Sequence, residues 1–135
     1  MLGVDHRVVI EGVDYDDGAG EIAVRCRLRM GARRCCGRCG RRASLYDRGD
    51  GRRRWRALDA GTIRVFIDAD APRVDCAECG VVVAAVPWAR HDAGHTRDFD
   101  DTVAWLATVT SKTAVTNLMR VAWRTVGSII ARVWA

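Results

Sequence analysis

Residues 33–42, RRCCGRCGRR, set Cys35, Cys36 and Cys39 within five positions and enclose them between arginines. A metal site, a disulfide, a redox dithiol or a basic strip that happens to contain thiols would all read this way. The decision comes from downstream, where CGRCG (36–40) has a counterpart in CAECG (76–80), with 36 residues between Cys39 and Cys76. Each C-x-x-C pair can offer both thiolates to one metal, and the Gly that follows lets the knuckle turn so that backbone N–H groups face sulfur. Together Cys36, Cys39, Cys76 and Cys79 make a closed tetrahedral Zn²⁺ site, the pattern of a zinc ribbon. Four thiolates leave no coordination position for water, so the zinc is structural, and its contribution is folding energy for a β-rich region with little core of its own. Cys35 to Cys39 is also a zinc-compatible spacing, but only Cys36 repeats the spacing of the second knuckle; Cys35 is read as the spare.

Length and composition bound the rest. At 135 residues and 49% hydrophobic, the chain suits one ordinary domain or two very small ones. Its longest apolar run, VVVAAV at 81–86, stops at Pro87, far short of the roughly 20 residues a membrane helix needs. MLGVDHRVVIEG lacks the basic flank and apolar run of a signal peptide. The expectation is a soluble, cytoplasmic protein with no membrane partner, in which close cysteine pairs ligate metal or act as catalytic thiols more often than they form disulfides. A thiol-redox enzyme using Cys36 and Cys39 is the competing reading, but a thioredoxin-like site needs only one C-x-x-C at the start of a helix. Here the pair is duplicated.

The net charge of +5 is unevenly spread. Residues 1–24 sum to −5, 25–56 to +11, 57–101 to −5 and 102–135 to +4. Two basic blocks separated by an acidic one suit a polyanion, because neutralising phosphates releases condensed counterions. Only one of the 22 basic residues is Lys, and Arg matches phosphate and guanine geometry better. The bland alternative is a solvated, Arg-rich surface.

The pattern along the chain predicts strands first and helices last. HRVVIEGVDY (6–15), DDGAG and EIAVRCRLRM (21–30) read as a β-hairpin whose second arm turns Ile22, Val24, Cys26, Leu28 and Met30 to the core and arginines outward. Cys26 is thus a core thiol. A short strand at 43–47 and a turn-rich RGDGRRR precede a clearer strand at 62–69, a short one at 72–76 and a buried strand at 81–86. PWARHDAGH (87–95) reads as a linker, so His91 and His95, though four residues apart, are linker histidines; His6 has no visible partner. From Thr96 the apolar spacing becomes helical, with Asp98, Asp100 and Asp101 placed as first-turn acids. A second helix at 112–119 has Ser111 as N-cap and Val115, Leu118 and Met119 inward. A third, at 123–134, has Val126, Ile129, Ile130 and Val133 inward.

TNLMRVAWRTVGSII (116–130) fits a helix-turn-helix, with Met119, Val121, Val126 and Ile129 packing its helices together and Arg124, Thr125, Ser128 and Arg132 left for the outer face. Thr116 stands where a small Ala is usual, and Arg120 where the turn often has Gly. The expected fold is therefore α+β: a β-rich zinc-ribbon domain at 1–88, a linker at 89–95, and a three-helix helix-turn-helix domain at 96–135. Expected DNA contacts are phosphate anchoring by Arg33, Arg34, Arg38, Arg41, Arg42, Arg52, Arg53, Arg54 and Lys112, with Arg124, Thr125, Ser128 and Arg132 on the third helix. Trp123 is either a packed anchor at the turn or a DNA-facing aromatic.

The order CGRCG, Arg-rich segment, CAECG, VPWAR (86–90), then VAWLA, KTAV and WRTVG resembles the N-terminal part of bacterial ISL-type insertion-sequence transposases, over most of residues 26–135. Departures are Gly37, where the family often has Pro, and Thr116 and Ala122, where it more often has Ala and Ser. The resemblance implies binding to double-stranded DNA at the element's terminal inverted repeats, a nucleoid-associated location, and a homodimer or full-length transposase as protein partner. It also implies a following RNase H-like domain with an acidic catalytic triad; since the chain stops at Ala135, no enzymatic activity is expected of it alone. A stand-alone transcriptional regulator or transposase inhibitor with the same architecture is the alternative.

Overall fold

The computed structural model describes residues 5–135 as two compact units, one ending at Thr96 and one spanning Arg97–Ala135. The first is all β. Strands β1 (Val8–Asp16), β2 (Glu21–Leu28), β4 (Arg52–Arg56) and β5 (Arg64–Asp70) form a sheet in the order β1-β2-β5-β4. Strands β3 (Ser44–Asp47), β6 (Arg73–Cys76) and β7 (Gly80–Val83) form a second, in the order β3-β6-β7.

The β1–β2 hairpin turns through DDGAG, with the Asp16 carboxylate accepting from the Ala19 N–H and Gly20 at φ 65°. The sheet is mixed: β2 runs parallel to β5, and β5 antiparallel to β4. A parallel pair cannot be joined by a tight turn, and here the connection from β2 to β5 carries the first knuckle, β3 and β4. The expected alternation in β2 holds for Val24, Cys26 and Leu28, all buried, with Cys26 1% exposed. It stops before Met30, which begins a 3-10 turn (Met30–Arg33) and is 65% exposed.

The core of this sheet gathers Val8, Val24, Cys26, Leu28 and Ile67 around Trp55 and Trp88, whose rings meet edge to face at 5.3 Å. Burying two Trp rings removes roughly 150–250 Å² each from water, the largest apolar contribution in a small unit. Trp88, Ala89 and Ala93 belong to this core, and the Gly94–Thr96 backbone pairs with Arg56. Residues 89–95 are therefore packed chain, unlike the free linker their composition suggested. Two further differences are local. Arg52–Arg54, read as turn, belong to β4 because Trp55 must reach the core and its neighbours extend with it. The strand at 81–86 ends at Val83, and Val81 on it is 42% exposed, since β7 is an edge.

The second unit is three helices: α1 (Arg97–Val109), α2 (Lys112–Met119) and α3 (Trp123–Val133). Ser111 caps α2 by accepting from the Ala114 N–H at 3.1 Å. The turn after α2 needs a left-handed residue, and Arg120 takes that conformation at φ 54°. The buried faces carry Phe99, Val103 and Ala104 on α1, Val115 and Met119 on α2, and Val126 and Ile129 on α3. Leu118, expected inward, is 66% exposed; in so short a helix, Val115 and Met119 already occupy the one face that packs. Asp100 is more than a first-turn acid: its side chain is fully buried and bound by Arg132.

Candidate metal centre and nucleic-acid interface

The ends of β6 and β7 and the loop after the 3-10 turn bring the two knuckles together. The Cys36 backbone bridges to Ala84, the Gly37 N–H donates to the Val83 carbonyl at 3.1 Å, and the Ala85 N–H donates to the Cys35 carbonyl. Gly40 and Gly80, which follow the last cysteine of each knuckle, both take φ 77°, a conformation that favours Gly because it has no Cβ. Gly37 is needed for another reason: a Cβ there would sit 2.4 Å from the Val83 carbonyl oxygen.

The result is one cluster. The Sγ atoms of Cys36, Cys39, Cys76 and Cys79 all lie within 4.8 Å of one another, with Cys39 and Cys76 at 3.6 Å. Four sulfurs at zinc–thiolate distances of about 2.3 Å in a tetrahedron stand about 3.8 Å apart, so the donor set fits Zn²⁺. The Cys35 thiol lies outside the cluster. Burial pushes the Cys36 thiol up, but the Cys39 and Arg38 N–H groups, the latter 3.4 Å from its Sγ, and the neighbouring thiols outweigh this and bring it down to about 7. Cys79 is pushed up to about 12 by burial and then by the other three thiols. Four thiolates so close require a cation between them. Because Cys36 and Cys39 share their cluster with Cys76 and Cys79, they are not an isolated redox dithiol.

The arginines expected to meet DNA are not equivalent. Arg41 is held by Glu78 at 2.5 Å, and Arg54 by Asp68 at 2.8 Å and Glu21 at 3.5 Å. Arg53 lies over the Trp55 ring and donates to the Ala93 carbonyl. Arg52 is 3.9 Å from Glu11. Arg34, Arg38 and Arg42 are exposed and have no carboxylate in ion-pair reach among the described residues; Arg33 is half-buried and equally unpaired. Carboxylates thus tie Arg54 in β4 and Arg41 beside the first knuckle, and leave Arg33, Arg34, Arg38 and Arg42 without one among the described residues, a sorting that sequence order conceals.

On α3, Arg124 and Ser128 are exposed and Thr125 half-buried, while Val126 and Ile129 face the other helices. Ser128 Oγ donates to the Arg124 carbonyl. Trp123 is 54% exposed with Lys112 Nζ 4.7 Å above its ring, so it is an exposed aromatic and not a packed anchor. Arg132, expected outward, turns its guanidinium to Asp100, with both hydrogen bonds at 3.1 Å. A buried carboxylate must be paired, and no sequence periodicity signals a partner 32 positions away.

Comparison with known proteins places both modules. Residues 32–79 match the zinc-finger of transposase IS204/IS1001/IS1096/IS1165, and residues 84–134 match the helix-turn-helix domain of transposase family ISL3. Two curated relatives, transposases for insertion sequence element IS1557 from Mycobacterium tuberculosis strains CDC 1551 / Oshkosh and ATCC 25618 / H37Rv, are each 61% identical over 139 aligned residues. The alignment covers 100% of this chain and 31% of each relative, so the chain spans about a third of their length. No solved structure matches it.

Proposed function

Because the chain carries, in order, the zinc-finger and helix-turn-helix modules of ISL3-family transposases, we propose that it recognises the terminal inverted repeats of an insertion element. One observation carries this reading: α3 keeps Val126 and Ile129 buried and holds Arg124 outward in its first turn and Ser128 outward at its middle, and the N-terminal part of a recognition helix is the part that reaches base edges. Lys112 and the unpaired arginines Arg34, Arg38 and Arg42 supply sequence-independent phosphate contacts, with Trp123 and Thr125 beside the groove. Zinc acts only as a staple, since all four of its positions are filled by cysteine. Strand cleavage and transfer are assigned to parts of a transposase outside these residues. Paired repeats suit a second copy, or a full-length transposase, as the protein partner.

The test is binding of the zinc-loaded chain to a terminal-repeat duplex and to a scrambled duplex over a range of salt. Tighter binding to the repeat, with affinity falling steeply as salt rises, is expected. Arg124→Ala should cost about 1–3 kcal/mol on the repeat and erase most of the preference. Equal affinity for both duplexes, unchanged by salt, would sink the proposal.

A further inference from the structure

A second group of arginines in the first unit gathers around the Gly49–Gly51 turn. Arg25, Arg54 and Arg41 are tied to carboxylates at 2.5–2.8 Å, and Arg73 is paired with Asp47. Four others converge on a cleft of about 330 Å³: Arg27 from β2, Arg33 from the 3-10 turn, and Arg48 and Arg52 from either side of the Gly49–Gly51 turn. The carboxylates there are Glu11 and Asp70. Glu11 is shared between Arg27 and Arg52 at 3.9 Å from each, while Arg33 and Arg48 have no carboxylate in reach among the described residues. Arg33 Nε is buried with no acceptor. Leu28 and Pro72 complete the wall, and such apolar surface strengthens the field of the guanidinium groups. Four cations against two loosely held anions leave an excess positive charge in a concave site built partly on strands, so its geometry is preset.

We propose that this cleft seats a backbone phosphodiester of duplex DNA, a contact additional to those of α3 and the knuckle arginines. Guanidinium forks take phosphate oxygens bidentately, and a phosphate restores the anion that the cleft lacks. The assignment rests on the DNA-binding reading above and adds Arg27 and Arg48, which composition alone did not single out from the other arginines.

A random-sequence duplex is the appropriate probe, because a phosphate contact is blind to sequence. The double variant Arg27→Gln/Arg48→Gln, with zinc content and circular dichroism unchanged, should lower the slope of log K against log salt by about 0.9 per phosphate lost. Glu11→Gln and Asp70→Asn should do the reverse, each raising affinity several-fold at low salt; they keep the test decisive if the arginine double variant does not fold. A wild-type slope in the cleft variants, or no gain from the carboxylate variants, overturns the cleft while leaving the DNA-binding reading intact if Arg124→Ala still weakens binding. Inorganic phosphate at constant ionic strength is the second arm. If it binds the wild-type chain and not the double variant, yet leaves the wild-type slope for DNA unchanged, the cleft is a free-phosphate site and the DNA assignment fails; if it lowers that slope to the double variant's by displacing DNA from the cleft, the assignment stands. If wild-type chain shows no salt-dependent binding at all, both readings fall together.

Discussion

Ala122 stands at the N-cap of α3 with the extended backbone of a cap, φ −69° and ψ 151°, but it has no side-chain oxygen to accept from the first turn. Ala122→Ser should therefore stabilise the helical unit by about 1 kcal/mol, read as a higher denaturation midpoint. Arg132 gives a prediction of the opposite sign. Its guanidinium is bound to Asp100, whose side chain is fully buried, so Arg132→Met removes a charged partner from a buried carboxylate and should cost roughly 3–5 kcal/mol. Were Arg132 a DNA contact instead, the same change would weaken binding and leave the denaturation midpoint in place. At this scale the sequence identified Ser111 as a cap from its near neighbours, and Cys36 over Cys35 because the C-x-x-C-G spacing is written twice. It did not reveal Asp100–Arg132, because a pair 32 residues apart is created by helix packing.

Among the elements, the turn between β3 and β4 is constrained by shape where it passes the chain from one sheet to the other. Gly49 there takes φ 67°, and a Cβ would lie 2.4 Å from the Ala71 carbonyl oxygen. Gly49→Ala should cost on the order of 1–3 kcal/mol, measured as a fall in the urea midpoint of the β signal. Strands β2, β5 and β6 and all three helices could be read from apolar periodicity, because each buries one face. β4 could not: RRRWR has a single buried side chain, Trp55, and its strand conformation comes from pairing with β5. The segment at 89–95 failed similarly, its small residues giving no period although Ala89 and Ala93 fill space beside Trp88.

For the whole molecule, the β3-β6-β7 sheet has a buried cluster of only Cys36, Val74, Cys76 and Ala84, two of which are zinc ligands, so its stability depends on the metal. Chelation should unfold this sheet while the helical unit, which contains no ligand, keeps its circular dichroism; metal analysis should give one zinc per chain. Lowering the pH should act in the same direction, because protons compete for the thiolates: the stabilisation is present at neutral and higher pH and is lost on acidification. Helical signal lost in step with zinc would contradict this independence. The sequence by itself determined the zinc site and the order of the two modules, because C-x-x-C-G knuckles and helical periodicity are written in adjacent residues. Only the tertiary structure decided which arginines remain free for an anion. Each guanidinium is either tied or available according to the carboxylate that folding brings beside it, and several of those carboxylates, such as Glu78 for Arg41 and Glu21 for Arg54, lie 37 and 33 positions away.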